Sequence, residues 1–183
     1  MICGVTWGKM INILIFKILM ANFTRIIYQK NDDYMTPAYA WEDIQEYIPK
    51  HKVIWDPFFG DGQSGKTLTR LGFNTIHENI DFFQYNLGDV IVTNPPFSQI
   101  PQIISRLKEL EKPFIMIMPS SKINTQYFRK LFSEDKNPIQ IIIPKKRINF
   151  YKFQQPFATS NCAFDCFYYC WKIGLERDIT WLI

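Results

Sequence analysis

The stretch Asp89-Val90-Ile91-Val92-Thr93-Asn94-Pro95-Pro96-Phe97 joins a strand pattern to a proline turn. Residues 90–92 are all β-branched, which is typical of a strand that is buried on both faces of a sheet. Pro95 and Pro96 each lack a backbone N–H and have a restricted φ, so the strand cannot continue through them. We therefore expect a rigid turn at the carboxyl end of a central strand, where open α/β sheets bind their ligands.

The groups of this turn could hold a planar base that carries an exocyclic amine. The Asn94 side-chain oxygen and the Pro95 carbonyl accept hydrogen bonds, and the Phe97 ring offers a stacking surface. Asn94-Pro95-Pro96-Phe97 resembles the catalytic motif of S-adenosylmethionine-dependent amino-methyltransferases, above all the DNA adenine methyltransferases. The resemblance implies that these four residues are catalytic. The alternative is a strand that ends in a proline turn, with Phe97 in the core.

A glycine-rich loop, Asp56-Pro57-Phe58-Phe59-Gly60-Asp61-Gly62, follows a predicted strand at residues 52–56 and precedes a predicted helix that ends near Leu71. Residues 60–67 match the P-loop pattern G-x-x-x-x-G-K-[ST] of nucleoside triphosphatases. The loop also resembles the cofactor loop of DNA methyltransferases through Asp-x-Phe-x-Gly-x-Gly. We prefer the second interpretation because Asp56-Pro57 ends the strand early. In addition, the next apolar strand ends in Asn94 and not in the Asp that a magnesium site needs.

The resemblance also implies a set of cofactor contacts. Tyr-x-Thr-Pro at residues 34–37 resembles the segment that holds the methionine part of S-adenosylmethionine. An acidic residue at the end of the second strand is where nucleotide folds bind ribose hydroxyls, and an Asp followed by an aromatic residue often contacts the adenine ring. The cofactor residues expected on these grounds are Tyr34, Thr36, Pro37, Asp56, Phe58, Gly60, Gly62, Glu78, Asp81 and Phe82. We expect His77 to be a surface or packing residue.

Composition narrows the class of protein. The chain has 183 residues, 47% of them hydrophobic, and a net charge of +4, which permits a nucleic-acid partner without requiring one. Two histidines and the absence of a C-x-x-C pair predict no metal site. Residues 145–157 are basic and aromatic, as a nucleic-acid contact requires. Its candidate contacts are Lys145, Lys146, Arg147 and Phe150, and the alternative is a solvated hairpin.

The resemblance implies a Rossmann-like class I methyltransferase fold. This α/β fold has a seven-stranded, mostly parallel sheet with helices on both faces and a C-terminal antiparallel hairpin. We expect residues 1–33 to be an N-terminal extension and residues 34–183 to be the methyltransferase domain. Further helices are predicted at residues 37–48, 98–110 and 125–132. Further strands are predicted at residues 74–78, 113–119, 139–143 and 161–173.

The expected function is transfer of a methyl group from S-adenosylmethionine to the exocyclic amine of adenine, with DNA as the favoured polymer. Within methyltransferases the alternatives are RNA adenine, ribosomal guanine and protein glutamine as targets. The alternatives outside the methyltransferases are a P-loop triphosphatase and a binding module without catalytic activity. Only 31 residues separate Gly62 from Asn94, and no target-recognition domain follows, so specificity is low, resides in residues 145–160, or comes from a partner subunit. We expect an intracellular protein without a membrane span, because the apolar stretch at residues 10–23 is short and contains Lys17.

Overall fold

A computed structural model of this protein describes residues 34–152 and 164–183, and the backbone of residues 155–159. These residues belong to a compact unit, Tyr34–Ile183. The predicted extension at residues 1–33 lies outside the described residues, so the division into extension and domain stays a prediction. None of the described helices is long and apolar enough to cross a membrane.

Nine strands form two sheets within the described residues. They are β1 (Val53–Trp55), β2 (Asn74–Ile76), β3 (Val90–Thr93), β4 (Phe114–Pro119), β5 (Gln140–Ile143), β6 (Tyr151–Lys152), β7 (Gln155–Thr159), β8 (Cys166–Trp171) and β9 (Ile179–Trp181). The main sheet has seven strands in the order β2-β1-β3-β4-β8-β5-β9. Strands β2, β1, β3 and β4 are parallel, and β8 runs antiparallel to both β4 and β5. Strands β6 and β7 form a separate antiparallel hairpin.

Helices cover both faces of the main sheet. They are α1 (Ala38–Glu42), α2 (Gln63–Arg70), α3 (Ile100–Glu109) and α4 (Gln126–Phe132). Val90 and Val92 join one core cluster with residues of α1 and α2, whereas Ile91 joins a second cluster with residues of α3 and α4. Adjacent residues of β3 therefore point to opposite faces, and both faces are buried. The predicted fold class is confirmed.

The first helix and the last long strand are shorter than predicted, and strand β9 was not predicted. The first helix, predicted at residues 37–48, begins after Pro37, which is its N-cap. It ends at Glu42 because the backbone tightens into i→i−3 turns, as in the bond from the Tyr47 N–H to the Ile44 carbonyl. The last long strand covers only Cys166–Trp171. Strand β9, in a region left unassigned, pairs in parallel with β5.

The carboxyl ends of β1, β2, β3 and β4 lie along one edge of the sheet because these strands are parallel. Asp56, His77 and Asn94 follow the ends of β1, β2 and β3 directly. Topology thus brings together three polar residues that are up to 38 positions apart in the chain.

Candidate active site

Asn94 presents a hydrogen-bond acceptor that is already oriented. Its Nδ2 donates to the Tyr34 carbonyl oxygen at 3.1 Å. A carbonyl can only accept, so the amide must direct Nδ2 toward Tyr34, which leaves Oδ1 as the acceptor. Oδ1 is buried and has no hydrogen-bond donor among the residues that the structure describes. A buried acceptor without a donor costs about 1–3 kcal/mol, and such an atom is suited to a ligand that donates.

Aromatic rings surround the Phe97 side chain beside Asn94. The Phe97 ring is half-buried and makes edge contacts with Phe164 at 5.3 Å and with Phe150 at 6.1 Å between centroids. Tyr34 contacts the same two rings. Phe164 was missed as a site residue, because it lies in the strand predicted at residues 161–173 and no motif marks it.

Phe150 requires a correction. It was predicted to touch nucleic acid, but its side chain is 0% exposed. An aromatic residue in a basic segment is equally compatible with a contact and with packing, and here the ring packs behind Phe97. Phe150 supports the Phe97 ring from within the core, and its own ring is not exposed to a ligand.

The glycine-rich loop turns sharply at two left-handed glycines. Gly60 has φ +52° and Gly62 has φ +79°, a region that other residues seldom adopt. A Cβ on Gly60 would lie 3.0 Å from the Met35 sulfur, so the chain passes close to the segment that precedes α1. The loop closes with a bond from the Gly62 N–H to the Phe59 carbonyl at 2.8 Å. Gly60 is exposed, whereas Gly62 is buried beside the Phe59 ring at the start of α2.

Asp56 ties three strand ends together beneath this loop. Its side chain is 1% exposed, and its Oδ1 accepts a hydrogen bond from the Thr93 hydroxyl at 2.5 Å. His77 Nδ1 lies 3.2 Å from Asp56 Oδ2 and 2.9 Å from the Asp56 carbonyl oxygen. Asp56 thereby fixes the beginning of the loop, and a direct contact with a cofactor stays a prediction.

His77 was expected to be a surface or packing residue, and it is a packing residue that also contacts Asp56. Its imidazole stacks on the Phe59 ring at 4.9 Å and 18°, and its side chain is 7% exposed. Burial would lower the pKa of His77, but the hydrogen bonds and charge of Asp56 outweigh burial, so the pKa lies above its ordinary value. A Cβ added to Gly65 would lie 2.3 Å from the ring. No local signal around His77 indicates these contacts, because they depend on how β2 packs against α2.

The geometry does not fit a P-loop. Helix α2 begins at Gln63, so Gly65 lies inside the helix and not at the end of a phosphate-binding loop. Lys66 is exposed on the helix surface. A glycine is needed at position 65 because a Cβ there would clash with His77. Its presence is therefore not evidence for a phosphate-binding loop.

The predicted contacts with the adenosine part divide into exposed and buried residues. Glu78 is exposed two residues beyond the end of β2. Asp81 is exposed too, and its carboxylate accepts bonds from the Phe83 N–H at 2.9 Å and from Gln84 Nε2 at 2.8 Å. Phe82 requires a correction, because it is 2% exposed and packs in the core. Its neighbour Phe83 is 41% exposed and is the ring available to a ligand.

The remaining predicted cofactor residues are buried or half-buried. Phe58 is half-buried and packs on the Phe82 ring at 5.4 Å. Thr36 is 5% exposed and Pro37 is half-buried at the start of α1. Tyr34 takes part through its carbonyl, which holds Asn94.

The basic segment presents cations next to this edge. Lys145, Lys146 and Arg147 are exposed. Lys146 Nζ lies 4.7 Å from the centre of the Tyr39 ring. Arg147 pairs with Asp165 at 3.1 Å and donates to the Phe164 carbonyl at 3.1 Å, which attaches the segment to the aromatic cluster. No group of three metal-ligating side chains is found in the part of the chain that the structure describes.

Comparison with known proteins identifies the family. A family model described as adenine-specific methyltransferase EcoRI matches residues 22–165, which are 144 of the 183 residues. The match includes the glycine-rich loop and Asn94-Pro95-Pro96-Phe97. No curated protein matches the sequence. The strand-end asparagine, the glycine loop and this match agree: the chain belongs to the EcoRI family of adenine-specific methyltransferases.

Proposed function

We propose that this protein transfers a methyl group from S-adenosylmethionine to the exocyclic amine of adenine in nucleic acid, with DNA as the favoured substrate. The observation that carries the proposal is Asn94 Oδ1, a buried acceptor oriented by Tyr34 and without a donor among the described residues. An exocyclic amine is the donor that this oxygen lacks. Membership of an adenine-specific family supports adenine as the base.

The turn after β3 would hold the target amine. An adenine that leaves its stack places one face on Phe97, and its amine donates to Asn94 Oδ1 and to the Pro95 carbonyl. Pro95 and Pro96 limit the freedom of this turn, so the two acceptors keep their spacing. Two such bonds draw the amine hydrogens toward the protein. The nitrogen lone pair then leaves its conjugation with the ring and points toward the methyl donor. Catalysis then rests on positioning, and no side-chain nucleophile is required.

The residues at this edge fit the proposed cofactor. Gly60 and Gly62 have left-handed backbones, and Met35 lies against Gly60. In this proposal the methionine end of the cofactor would be held by the loop together with Tyr34, Thr36, Pro37 and Asp56. Glu78 is free to accept from ribose hydroxyls. Asp81 can accept from the adenine amine as well as from its turn, because each carboxylate oxygen has two acceptor sites. When bound, S-adenosylmethionine would supply an electrophilic methyl group on a cationic sulfur: the N–C bond would form as the S–C bond breaks, S-adenosylhomocysteine would leave, and the amine would lose one proton to solvent.

The experiment that tests the proposal measures transfer of labelled methyl to single-stranded DNA, double-stranded DNA and RNA, each with and without adenine. We expect incorporation that requires adenine and is lost in Asn94→Ala, while calorimetry shows that the variant still binds S-adenosylmethionine. Asn74→Ala is the matched control, because Asn74 is exposed at the amino end of β2. Transfer by Asn94→Ala at the wild-type rate would refute the role of Asn94. Incorporation only into RNA would favour the RNA alternative.

A further inference from the structure

Tyr151 links the β6–β7 hairpin to the segment that precedes α1. The Met35 N–H donates to the Tyr151 carbonyl at 2.8 Å, and the Tyr151 N–H donates back to the Met35 carbonyl at 3.2 Å. This reciprocal pair is an isolated antiparallel bridge. It attaches the hairpin by its backbone to residues that are more than a hundred positions earlier in the chain.

The Tyr151 side chain reaches the glycine-rich loop. Its hydroxyl donates to Asp61 Oδ2 at 2.6 Å, while Asp61 Oδ1 accepts from the Gln63 N–H at 3.0 Å. Burial and the bond to Asp61 raise the pKa of the phenol well above its usual value. The hydroxyl therefore stays protonated and remains a donor at any pH at which the protein would be assayed. One aspartate thus connects the hairpin to the first turn of α2.

The attached segment also reaches the catalytic turn. Met35 packs on Gly60, and the carbonyl of the preceding residue, Tyr34, holds Asn94 Nδ2. Phe150, the residue before Tyr151 in the chain, makes an edge contact with the Phe97 ring. A movement of Tyr151 relative to the loop would therefore disturb the glycine loop, Asn94 and the stacking ring together.

The exposed cations lie on the same stretch of chain. Lys145, Lys146 and Arg147 come four to six residues before Tyr151. A polyanion that binds them would act on the hairpin, because the intervening residues 148 and 150 are buried and transmit its position. The hydrogen bond between Tyr151 and Asp61 is therefore the side-chain link from this stretch to the glycine-rich loop, beside the backbone pair with Met35.

We propose that Tyr151 is a positioning residue that couples nucleic-acid binding to cofactor binding through its hydroxyl bond to Asp61. The inference rests on the proposed function. The bond forms only when the hairpin and the glycine-rich loop keep the arrangement seen in the structure. Nucleic acid that stabilises the hairpin therefore also favours the loop arrangement that the cofactor requires, and a cofactor that stabilises the loop favours the hairpin arrangement that nucleic acid requires. By linkage, the effect of DNA on cofactor affinity equals the effect of cofactor on DNA affinity.

Calorimetry with S-adenosylhomocysteine, with and without an adenine-containing DNA duplex, measures this coupling. We expect DNA to tighten cofactor binding by about fivefold or more in the wild type, and by less than about twofold in Tyr151→Phe, which keeps the ring and loses the hydroxyl. Tyr47→Phe is the matched control, because Tyr47 lies beside Glu46 and Ile173 at a different surface, and it should retain the wild-type ratio. Wild-type binding of both ligands without coupling, or unchanged coupling in Tyr151→Phe, overturns the proposal and leaves the proposed function intact. Binding of neither ligand by the wild type refutes both.

Asp61→Ala tests the same bond from its other end. It removes the acceptor, so the coupling should fall as in Tyr151→Phe, and Tyr151→Phe added to Asp61→Ala should have no further effect. Circular dichroism and the thermal midpoint show that each variant is folded. Asp61→Asn keeps one acceptor oxygen and should restore part of the coupling, which a purely structural defect at this position would not do. A further fall in the double variant would overturn the assignment of Asp61 as the partner.

Discussion

Replacement of Gly65 by alanine should destabilise this protein, although the same change stabilises most helices. Gly65 lies in α2 against the His77 imidazole. The added Cβ would lie 2.3, 2.4 and 2.5 Å from three atoms of that side chain, closer than real Cβ contacts occur. The ring cannot swing away freely, because Phe59 stacks on one side of it and Asp56 holds Nδ1.

Three effects set the size of the change in the free energy of unfolding. Alanine in a helix gains up to about 1 kcal/mol over glycine. Forcing extra volume into a packed site costs about 1–3 kcal/mol, and disturbing the bond between His77 and Asp56 costs about 1–2 kcal/mol more. We therefore expect a net loss of about 2 kcal/mol. For a domain of this size that loss lowers the thermal midpoint by roughly 4–8 °C.

Urea unfolding of a double-mutant cycle measures the effect and its cause. Gly65→Ala is compared in the wild-type and His77→Gly backgrounds, because the Cβ of His77 is itself one of the three close atoms and only glycine removes it together with the ring. We expect alanine to be neutral or stabilising in the second background, with an interaction free energy of about 2 kcal/mol between the sites. Ser64 is unsuitable as a control because it accepts a bond from Trp41. The exposed neighbour Lys66 is the matched position for a control alanine.

Two results would refute this reasoning. The first is a stabilising Gly65→Ala of the size that unhindered helices show, because the close approach would then be absent. The second is an equal destabilisation in both backgrounds, because the clash would then involve something other than His77.

Lys66→Ala should leave methyl transfer within about twofold of the wild type, because Lys66 is exposed on α2; a severe loss, accompanied by ATP hydrolysis in the wild type, would restore the P-loop interpretation. Wild-type stability should fall as the pH rises from about 6.5 through the raised pKa of His77. The stability from a raised pKa is complete below the unfolded value and lost above the folded one. Urea unfolding from pH 6 to 9 should show this fall in the wild type and not in His77→Gln, and parallel profiles would contradict it. The double variant Lys145→Ala, Lys146→Ala should weaken DNA binding and reduce the slope of log affinity against log salt by about 1.8, because each phosphate that a lysine neutralises contributes about 0.9 to that slope; an unchanged slope would show that neither lysine touches a phosphate.

Local sequence patterns predicted the helices and strands whose formation depends on neighbouring residues. The β-branched run before two prolines predicted β3 and its turn, because both the strand preference and the stop arise from neighbouring residues. Ile100, Ile103, Ile104 and Leu107 recur at helical spacing, and all four are buried in α3. Patterns also showed which residues are aromatic or basic but not which way they point. Phe82 and Phe150 were therefore predicted as contacts and are buried, while Phe83 and Phe164 were overlooked.

By itself, the sequence determined the fold class, the order of the two loops and the presence of an asparagine at the end of a buried strand. It left the loop at residues 60–67 compatible with two kinds of binding site. The tertiary structure adds evidence against the P-loop that no local pattern contains, because Gly65 lies inside α2 against His77, which is twelve residues away in the chain. That the loop binds S-adenosylmethionine stays a prediction. Distant contacts also link Asn94 with Tyr34 and Asp61 with Tyr151, at separations of 60 and 90 residues. Such pairs form only when the sheet brings the ends of its parallel strands to one edge, so no local pattern records them.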